Sequence, residues 1–480
     1  MTSLSFPSDA YVDGRWLESK TRFSVRDPWD GAEIAKVSDA DDATVDAAID
    51  AAVRAFPTWR ATPGGERGKL LAKLAAAMEA EVDRLARVCT AENGKPLKES
   101  IAEVHYAASF FAWFAGEAQR SYGETIPATR ADQRLVVIRE PVGPCAMITP
   151  WNFPYAMLTR KLGAALAAGC TTVSKPAEQT PLSALVLAKL AHDVGIPKGV
   201  INIVLASDGA RVGGRLVASR AIRKVSFTGS TEVGRAILEG AAGTIKRVSL
   251  ELGGNAPFVV LGDADVDAAV AGAMIAKFRN TGQSCVAANR FVVEHSIAQA
   301  FTDKLAAAVR KLVVARGSDD KDLGPVIDDA AVAKIRRIVT DATAKGAKLI
   351  VGSLPEGSSR AIAPIVLTGI TRDMAAWHEE IFGPVVALAT ARDETQAVEM
   401  ANDTDAGLVA YLYTRDGQRQ ARVAEALEAG MIGINEGLVS TAQAPFGGIK
   451  QSGLGREGSR HGTDDYTNLK YMAIHHAATP

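Results

Sequence analysis

The chain has 480 residues, 54 Lys and Arg against 55 Asp and Glu, a formal net charge of −1, and is 47% hydrophobic and 23% charged. Domains cluster at ~100–150 residues, so two or three packed units are expected. The charge balance excludes a strongly basic nucleic-acid face, no window nears the ~18 apolar residues of a membrane span, and the opening MTSLSFPSDAYVDGRW lacks a basic-then-apolar leader, so a cytoplasmic chain with no nucleic-acid or membrane partner is expected.

In chain order, SDADDATVDAAIDAAVRAF from Ser38 sets Val45, Ile49, Ala52, Val53 and Phe56 at three- and four-residue spacing behind an acidic start, which predicts an amphipathic helix. A second helix is predicted over KLLAKLAAAMEAEVDRLARV, with Leu70, Leu74, Met78, Val82 and Leu85 in one stripe and the terminator NGKP at Asn93 to Pro96. Both stripes read as core-facing. From Gly143 to Leu261 the β-rich runs CAMIT, CTTVSK, VINIVLA, KVSFTGS, RVSLEL and APFVVL alternate with helical segments at 154–168, 181–193 and 231–242. Such alternation predicts an α/β unit with a parallel sheet, whose ligands sit beyond the carboxyl ends of the strands. Trp151 with Asn152, Lys175 with Glu178, and Gly229 with Ser230 all follow such strands, so three strand ends point to one crevice. A second alternating block runs from 262 to about 440, and the tail from 462 reads as a lone strand in need of a partner edge.

The four cysteines, Cys89, Cys145, Cys170 and Cys285, include no CxxC, and the seven histidines show no ligand spacing. Reduced thiols and no metal site are expected. His475 and His476 read as a solvated tail. The segment FTGSTEVGRAIL puts Gly229 and Ser230 at a strand-to-helix junction, where free N–H groups and the helix dipole favour a phosphate. The segment matches neither GxGxxG nor GxxxxGK[ST], so a plain tight turn stands beside that reading. Cys285 alone fits a buried structural thiol, but the polar, turn-forming FRNTGQSC context favours a loop on which a thiolate is stabilised and approached. Glu251 ends an apolar strand, either as a functional carboxylate or as a surface residue at a strand tip.

The motifs PWNFP, SKPAEQTP, FTGSTEVG, LELGGNAP, FRNTGQSC, EEIFGP and PFGGIKQSGLGRE occur in that order. With them the chain resembles the aldehyde dehydrogenases from YVDGRW to the final strand. The resemblance implies that fold: a Rossmann-like cofactor domain (1–122 and 142–255), an α/β catalytic domain (256–440), and a small β oligomerisation element with the C-terminal tail (123–141 and 441–480). It implies a homodimer or homotetramer. It makes Cys285 the nucleophile, Asn152 and the Cys285 N–H the oxyanion donors, and Glu251 the base that hydrolyses the thioester. The base separates such enzymes from coenzyme A-dependent relatives. For the cofactor it implies Gly229 and Ser230 at the pyrophosphate, Lys175 and Glu178 at the adenosine ribose, and Trp151, Leu252, Glu380 and Phe382 at the nicotinamide end. A carboxylate at Glu178 repels a 2′-phosphate by ~1–4 kcal/mol at ~4 Å, so NAD is expected over NADP, unless Glu178 swings away.

Within the family the resemblance is to succinate semialdehyde dehydrogenases, through PWNFPYAMLTRKLGAALAAG, KFRNTGQSCVAANR, INEGLVS and GLGREGSRHG. Arg160, Arg279 and Ser440 are then the anchors for a distal carboxylate, which Arg matches in bidentate fashion. A helix starting near Asn152 would bring Arg160 to the same face by i,i+4 spacing. Internal ion pairing or solvation of these arginines leaves two other expectations open: glutarate semialdehyde, or a broad range of aliphatic and aromatic aldehydes. A non-catalytic structural role stands apart from both. Position 287 is Ala where several relatives carry a second cysteine, so no disulfide switch at Cys285 is expected, and Ser284 keeps the hydroxyl of the more usual Thr.

Overall fold

The computed structural model describes residues 6–354, 357 and 359–476; the expected spans reaching 1–5 and 477–480 extend outside the described residues. Apolar runs without alternation become parallel strands covered on both faces. Five of them, Cys145–Ile148, Thr172–Lys175, Ile201–Ile203, Lys224–Thr228 and Arg247–Glu251, form the parallel centre of an eight-stranded sheet. In space the third, second and first of these precede the fourth and fifth. The strand order therefore reverses between Cys145–Ile148 and Lys224–Thr228, and a ligand crevice opens at such a switch. Ala10–Val12 and Arg15–Leu17 cap one edge, and Gly453–Leu454 caps the other.

A second sheet has seven strands in the order Lys348–Val351, Ile365–Thr368, Val385–Ala391, Arg290–Glu294, Pro257–Val260, Val409–Tyr413 and Met431–Ile434. Only its first pairing is antiparallel. Residues 252–256 carry the chain from the last parallel strand of the first sheet to Pro257–Val260 in the second. The loop that leaves Glu251 thus crosses from one core to the other.

The tail strand finds its partner edge within the chain. Thr467–His475 pairs antiparallel with Gln133–Pro141, in register from Thr467 opposite Pro141 to His475 opposite Gln133, and Glu124–Ile126 completes a three-stranded sheet. Leu469 and Tyr471 on that sheet are 64% and 57% exposed. Among the described residues, no helix is long and apolar enough to cross a membrane.

Four helices precede the first sheet's central strands. Asp42–Ala61 is capped by Asp41, whose side chain accepts from the Thr44 N–H. Val45, Ile49 and Ala52 are buried as its spacing predicts, but Val53 is exposed and Phe56 half-buried, so the buried stripe is narrower. The single helix predicted after it is two, Gly64–Ala80 and Val82–Asn93, broken at Glu81. A further helix, Leu97–Glu117, follows the NGKP turn and carries Phe110, Phe111 and Phe114 into the core beneath Pro154–Ala168. Pro154–Ala168 is buried along its whole length and ends on Gly169 in the left-handed region. The helix starts at Pro154, so Asn152 lies outside it and the i,i+4 relation to Arg160 expected from the sequence does not hold.

Candidate active site

Cys285 follows a backbone that few sequences adopt. Asn280 and Thr281 have φ of 48° and 58°, and Gly282 has φ of 77°. Non-glycine residues there are strained and persist only where neighbours over-determine them. The neighbours are present. The Asn280 N–H donates to Glu99 Oε2 at 2.6 Å, Thr281 Oγ1 exchanges hydrogen bonds with Gly324 O and N at 3.0 and 3.1 Å, and Gln283 Oε1 accepts from the Ile327 N–H at 2.8 Å. A Cβ at Gly282 would collide with the Gly383 carbonyl oxygen. The loop is therefore rigid and largely buried, not the open polar loop expected from its composition. Burial pushes the Cys285 thiol up to about 12, with the Arg160 charge opposing, so the resting side chain is a protonated thiol.

Asn152 is 4% exposed, and its Nδ2 donates to the Gln283 carbonyl at 3.2 Å, which ties the expected oxyanion donor to the nucleophile's own loop. An amide nitrogen carries a second N–H for an oxyanion. Glu251 is 2% exposed at the carboxyl end of its strand, so it is no surface residue at a strand tip. Among the described residues neither of its carboxyl oxygens has a hydrogen-bond partner. Burial raises it well above the ordinary range and the nearby Glu457 adds to this, while Arg160 and Lys161 oppose. Such an orphaned buried acid is a functional-site signature. The backbone beyond it approaches the nucleophile closely, since a Cβ on Gly254 would stand 2.6 Å from the Cys285 carbonyl oxygen.

At the switch of the first sheet, Ser230 caps the helix Thr231–Ala242 by accepting from the Val233 N–H at 3.4 Å. The Gly229 N–H donates to the Glu251 carbonyl at 3.0 Å, so a phosphate here faces the N–H groups of the helix start. A Cβ at Gly229 would collide with the Phe227 ring, and one at Gly234 would meet Leu252 at 2.6 Å. Lys175 Nζ pairs with Glu178 Oε2 at 2.9 Å at the neighbouring strand end. Trp151 and Phe382 meet edge to face at 5.5 Å. Glu380, raised to about 7 by burial, accepts from the Gly254 N–H at 3.0 Å. The Ser174 and Thr228 hydroxyls are buried without a hydrogen-bond partner among the described residues. A strand-order switch, a helix start beside it and these orphaned polar atoms fit a dinucleotide.

The arginines are placed differently from one another. Arg160 is 1% exposed; its Nε contacts Glu457 Oε2, and its guanidinium lies 4.2 Å from the Phe446 ring centre. Lys161 pairs with the other oxygen of Glu457, and burial, which disfavours that charge, is outweighed by Arg160 and Lys161, so Glu457 stays below the ordinary carboxylate range. Arg279 is half-buried over the Phe153 ring at 5.0 Å and lines a narrow cleft with Ser284, Val286, Tyr411 and Val439. Ser440 is half-buried.

Sequence reasoning missed Tyr106. Burial raises its phenol, while the Arg160 and Arg279 charges and the Ser440 hydroxyl oppose that, so this side chain brings the three expected anchors together. The Ser440 hydroxyl and the Arg160 guanidinium both reach the Tyr106 hydroxyl. Glu457 was missed as well, although it lies inside the quoted GLGREGSRHG. No group of three or more His, Cys, Asp or Glu side chains among the described residues could hold a metal ion.

Comparison with known proteins shows the family. The family model described as "Aldehyde dehydrogenase family" matches residues 16–472. The chain is 51% identical over 473 residues to the glutarate-semialdehyde dehydrogenase of Pseudomonas putida, covering 98% of each. It is 50% identical over 473 residues to the succinate-semialdehyde dehydrogenase [NADP(+)] of Escherichia coli, again covering 98% of each. Among solved structures, an aldehyde dehydrogenase from Brucella melitensis biovar abortus superposes with a TM-score of 0.97 at 49% identity, covering 100% of this chain and 99% of that one. A succinate-semialdehyde dehydrogenase from Burkholderia pseudomallei gives 0.96 at 49% identity, covering 99% of each.

Proposed function

Because the chain belongs to the aldehyde dehydrogenase family, we propose that it oxidises succinate semialdehyde to succinate with NAD, through a thioester on Cys285 that water hydrolyses. The observation that carries the substrate is the gathering of the Arg160 and Arg279 charges and the Ser440 hydroxyl at the Tyr106 phenol. A short ω-carboxylate suits such a donor set in charge and geometry. An uncharged aldehyde does not.

In this reading Cys285 Sγ gives up its proton to solvent water and attacks the carbonyl carbon, and the resulting oxyanion is held by the Asn152 amide and the Cys285 N–H. Gly229, Ser230, Lys175, Glu178, Trp151, Leu252, Glu380 and Phe382 would hold the dinucleotide, whose nicotinamide, when bound, accepts the hydride that leaves the former carbonyl carbon. Glu251 then takes a proton from the water that attacks the thioester. It does so as a carboxylate, a form that its burial disfavours and that Arg160 and Lys161 help restore.

NAD over NADP follows from Glu178, whose carboxylate suits ribose hydroxyls. Its pairing with Lys175 reduces the repulsion of a 2′-phosphate, so the preference is one of degree. The names of the relatives favour a second substrate, glutarate semialdehyde. One methylene separates the two, worth ~1–3 kcal/mol in a fitted pocket. The domains are proposed as 1–122 with 142–255, 256–440, and 123–141 with 441–480. The exposed apolar side chains of the three-stranded sheet support a homodimer or homotetramer built on it. Free buried Cys89, Cys145 and Cys170 support a reducing cytoplasm.

The test is reduced-cofactor absorbance with succinate semialdehyde, glutarate semialdehyde, hexanal and benzaldehyde, each with NAD and with NADP. A kcat/KM advantage for succinate semialdehyde is expected. Equal rates with the uncharged aldehydes overturn the anchor.

A further inference from the structure

We propose that Lys95, paired with Glu103, is a positioning residue for the oxyanion donor and holds the Asn152 main chain from behind the site. The inference rests on the reading of Asn152 as that donor. Lys95 and Glu103 have side chains 0% and 1% exposed, with Nζ and Oε2 2.5 Å apart. The same Nζ donates to the Asn152 carbonyl at 2.7 Å. The second oxygen of Glu103 accepts from the N–H groups of Tyr155 and Ala156 at 2.9 and 3.3 Å, at the start of the helix that follows. Between these grips, the Phe153 ring lies 4.1 Å from the Lys95 ammonium. One buried ion pair therefore holds residues 152, 153, 155 and 156.

The hold extends to the nucleophile. The Asn152 carbonyl also accepts from Asn280 Nδ2 at 2.8 Å, and Asn280 Nδ2 reaches the Gln283 carbonyl, to which Asn152 Nδ2 donates. Lys95, Asn152, Asn280 and Gln283 form one continuous network ending two residues before Cys285. The turn that aims Lys95 is specified closely: Gly94 has φ of 86°, a Cβ there would stand 2.8 Å from the Pro325 ring, and Asn93 Nδ2 donates to the Trp151 carbonyl at 2.9 Å. A turn that only ended a helix would need neither side chain. A buried ion pair is weak support for stability, because apolar residues of like volume serve as well or better. What this pair provides instead is a fixed place for an amide that must meet a developing charge, and preorganised donors act through such fixed placement.

The test is a double-mutant cycle of Lys95→Met with Asn152→Ala in the full-length enzyme. It reads the rate of the hydride burst, the cofactor Kd by fluorescence quenching and the Tm. Loss of one oxyanion donor lowers the rate ~10²–10³-fold, so Lys95→Met is expected to lower the burst rate at least ~10-fold while the cofactor Kd stays within about twofold. In the Asn152→Ala background it should change the rate less than about twofold, because the group it positions is already gone. If Lys95→Met does not fold, Glu103→Gln, which removes the charge and keeps the shape, takes its place in the same cycle. A full loss that multiplies with Asn152→Ala overturns the proposal, since general damage to the fold would do that. An unchanged burst in Lys95→Met beside a lost burst in Asn152→Ala overturns the proposal and leaves the oxyanion reading intact. An undiminished burst in Asn152→Ala overturns both.

Discussion

A side chain at position 254 would stand 2.6 Å from the carbonyl oxygen of Cys285. The contact joins the loop that leaves Glu251 to the loop that carries Cys285, so the spacing between the proposed base and the proposed nucleophile depends on a missing methyl group. The backbone at Gly254 lies outside the left-handed region, so Ala is conformationally allowed and the cost falls on the contact. A displacement of about 1 Å at reacting atoms costs ~10²-fold. Gly254→Ala is therefore expected to lower kcat strongly, with a smaller loss of Tm from the backbone clash, read by steady-state rates and calorimetry. A variant with full turnover would show that the loop gives way.

Glu251 is assigned to the second half of the reaction only. Glu251→Gln should release a burst of about one reduced cofactor per subunit and then stall, with steady-state turnover reduced by ~10²–10⁴-fold, the usual contribution of a general base. Rapid mixing with absorbance detection separates the phases. Loss of the burst itself would place the residue in acylation.

The thiol gives a pH prediction whose sign is fixed. Burial raises Cys285 to about 12 and so favours the neutral form; the thiolate fraction then grows about tenfold per pH unit throughout the range below that value. Iodoacetamide inactivation of the cofactor-free enzyme should accelerate about tenfold per unit from pH 7 to 10 with no plateau. A plateau below pH 9 would show a thiolate stabilised in the empty site.

Much of the first sheet was legible because its signals are local. Helices read at 154–168 and 231–242 are found as Pro154–Ala168 and Thr231–Ala242, and the strand ends carrying Trp151, Lys175 and Gly229 meet at one switch. The break at Glu81 was not legible, since no Gly or Pro interrupts the stripe, of which Leu74, Met78 and Leu85 are buried and Leu70 and Val82 half-buried. Cys285, Asn152 and Glu251 were assigned through motifs, and the structure adds what motifs lack: burial, and so the protonation state. Lys95, Glu103 and Tyr106 stayed hidden because the residues they hold at the site, Asn152, Tyr155 and Arg160, lie 57, 52 and 54 residues further along the chain, and no spacing rule reaches that far.

The two arginines, read as equivalent in the sequence, should part under mutation. Arg160 is buried against Glu457, and removing it leaves that carboxylate with Lys161 alone, at a cost of up to ~3–5 kcal/mol. The half-compensated Glu457 would also add to the field that keeps Glu251 protonated, since Glu457 already raises it. Arg160→Met should therefore lower Tm and depress kcat for every aldehyde, charged or not. Arg279 is half-buried on the cleft beside Ser284 and Val286, with no carboxylate partner among its ring and cleft contacts named above. Arg279→Met should leave Tm nearly unchanged, raise KM for succinate semialdehyde by ~10-fold or more, as for loss of a charge-assisted hydrogen bond, and leave hexanal unaffected. Tm by calorimetry and kcat/KM for the two aldehydes decide it. If Arg279→Met slows both aldehydes equally, the guanidinium supports the Phe153 ring and the loop, and the distal carboxylate is anchored elsewhere.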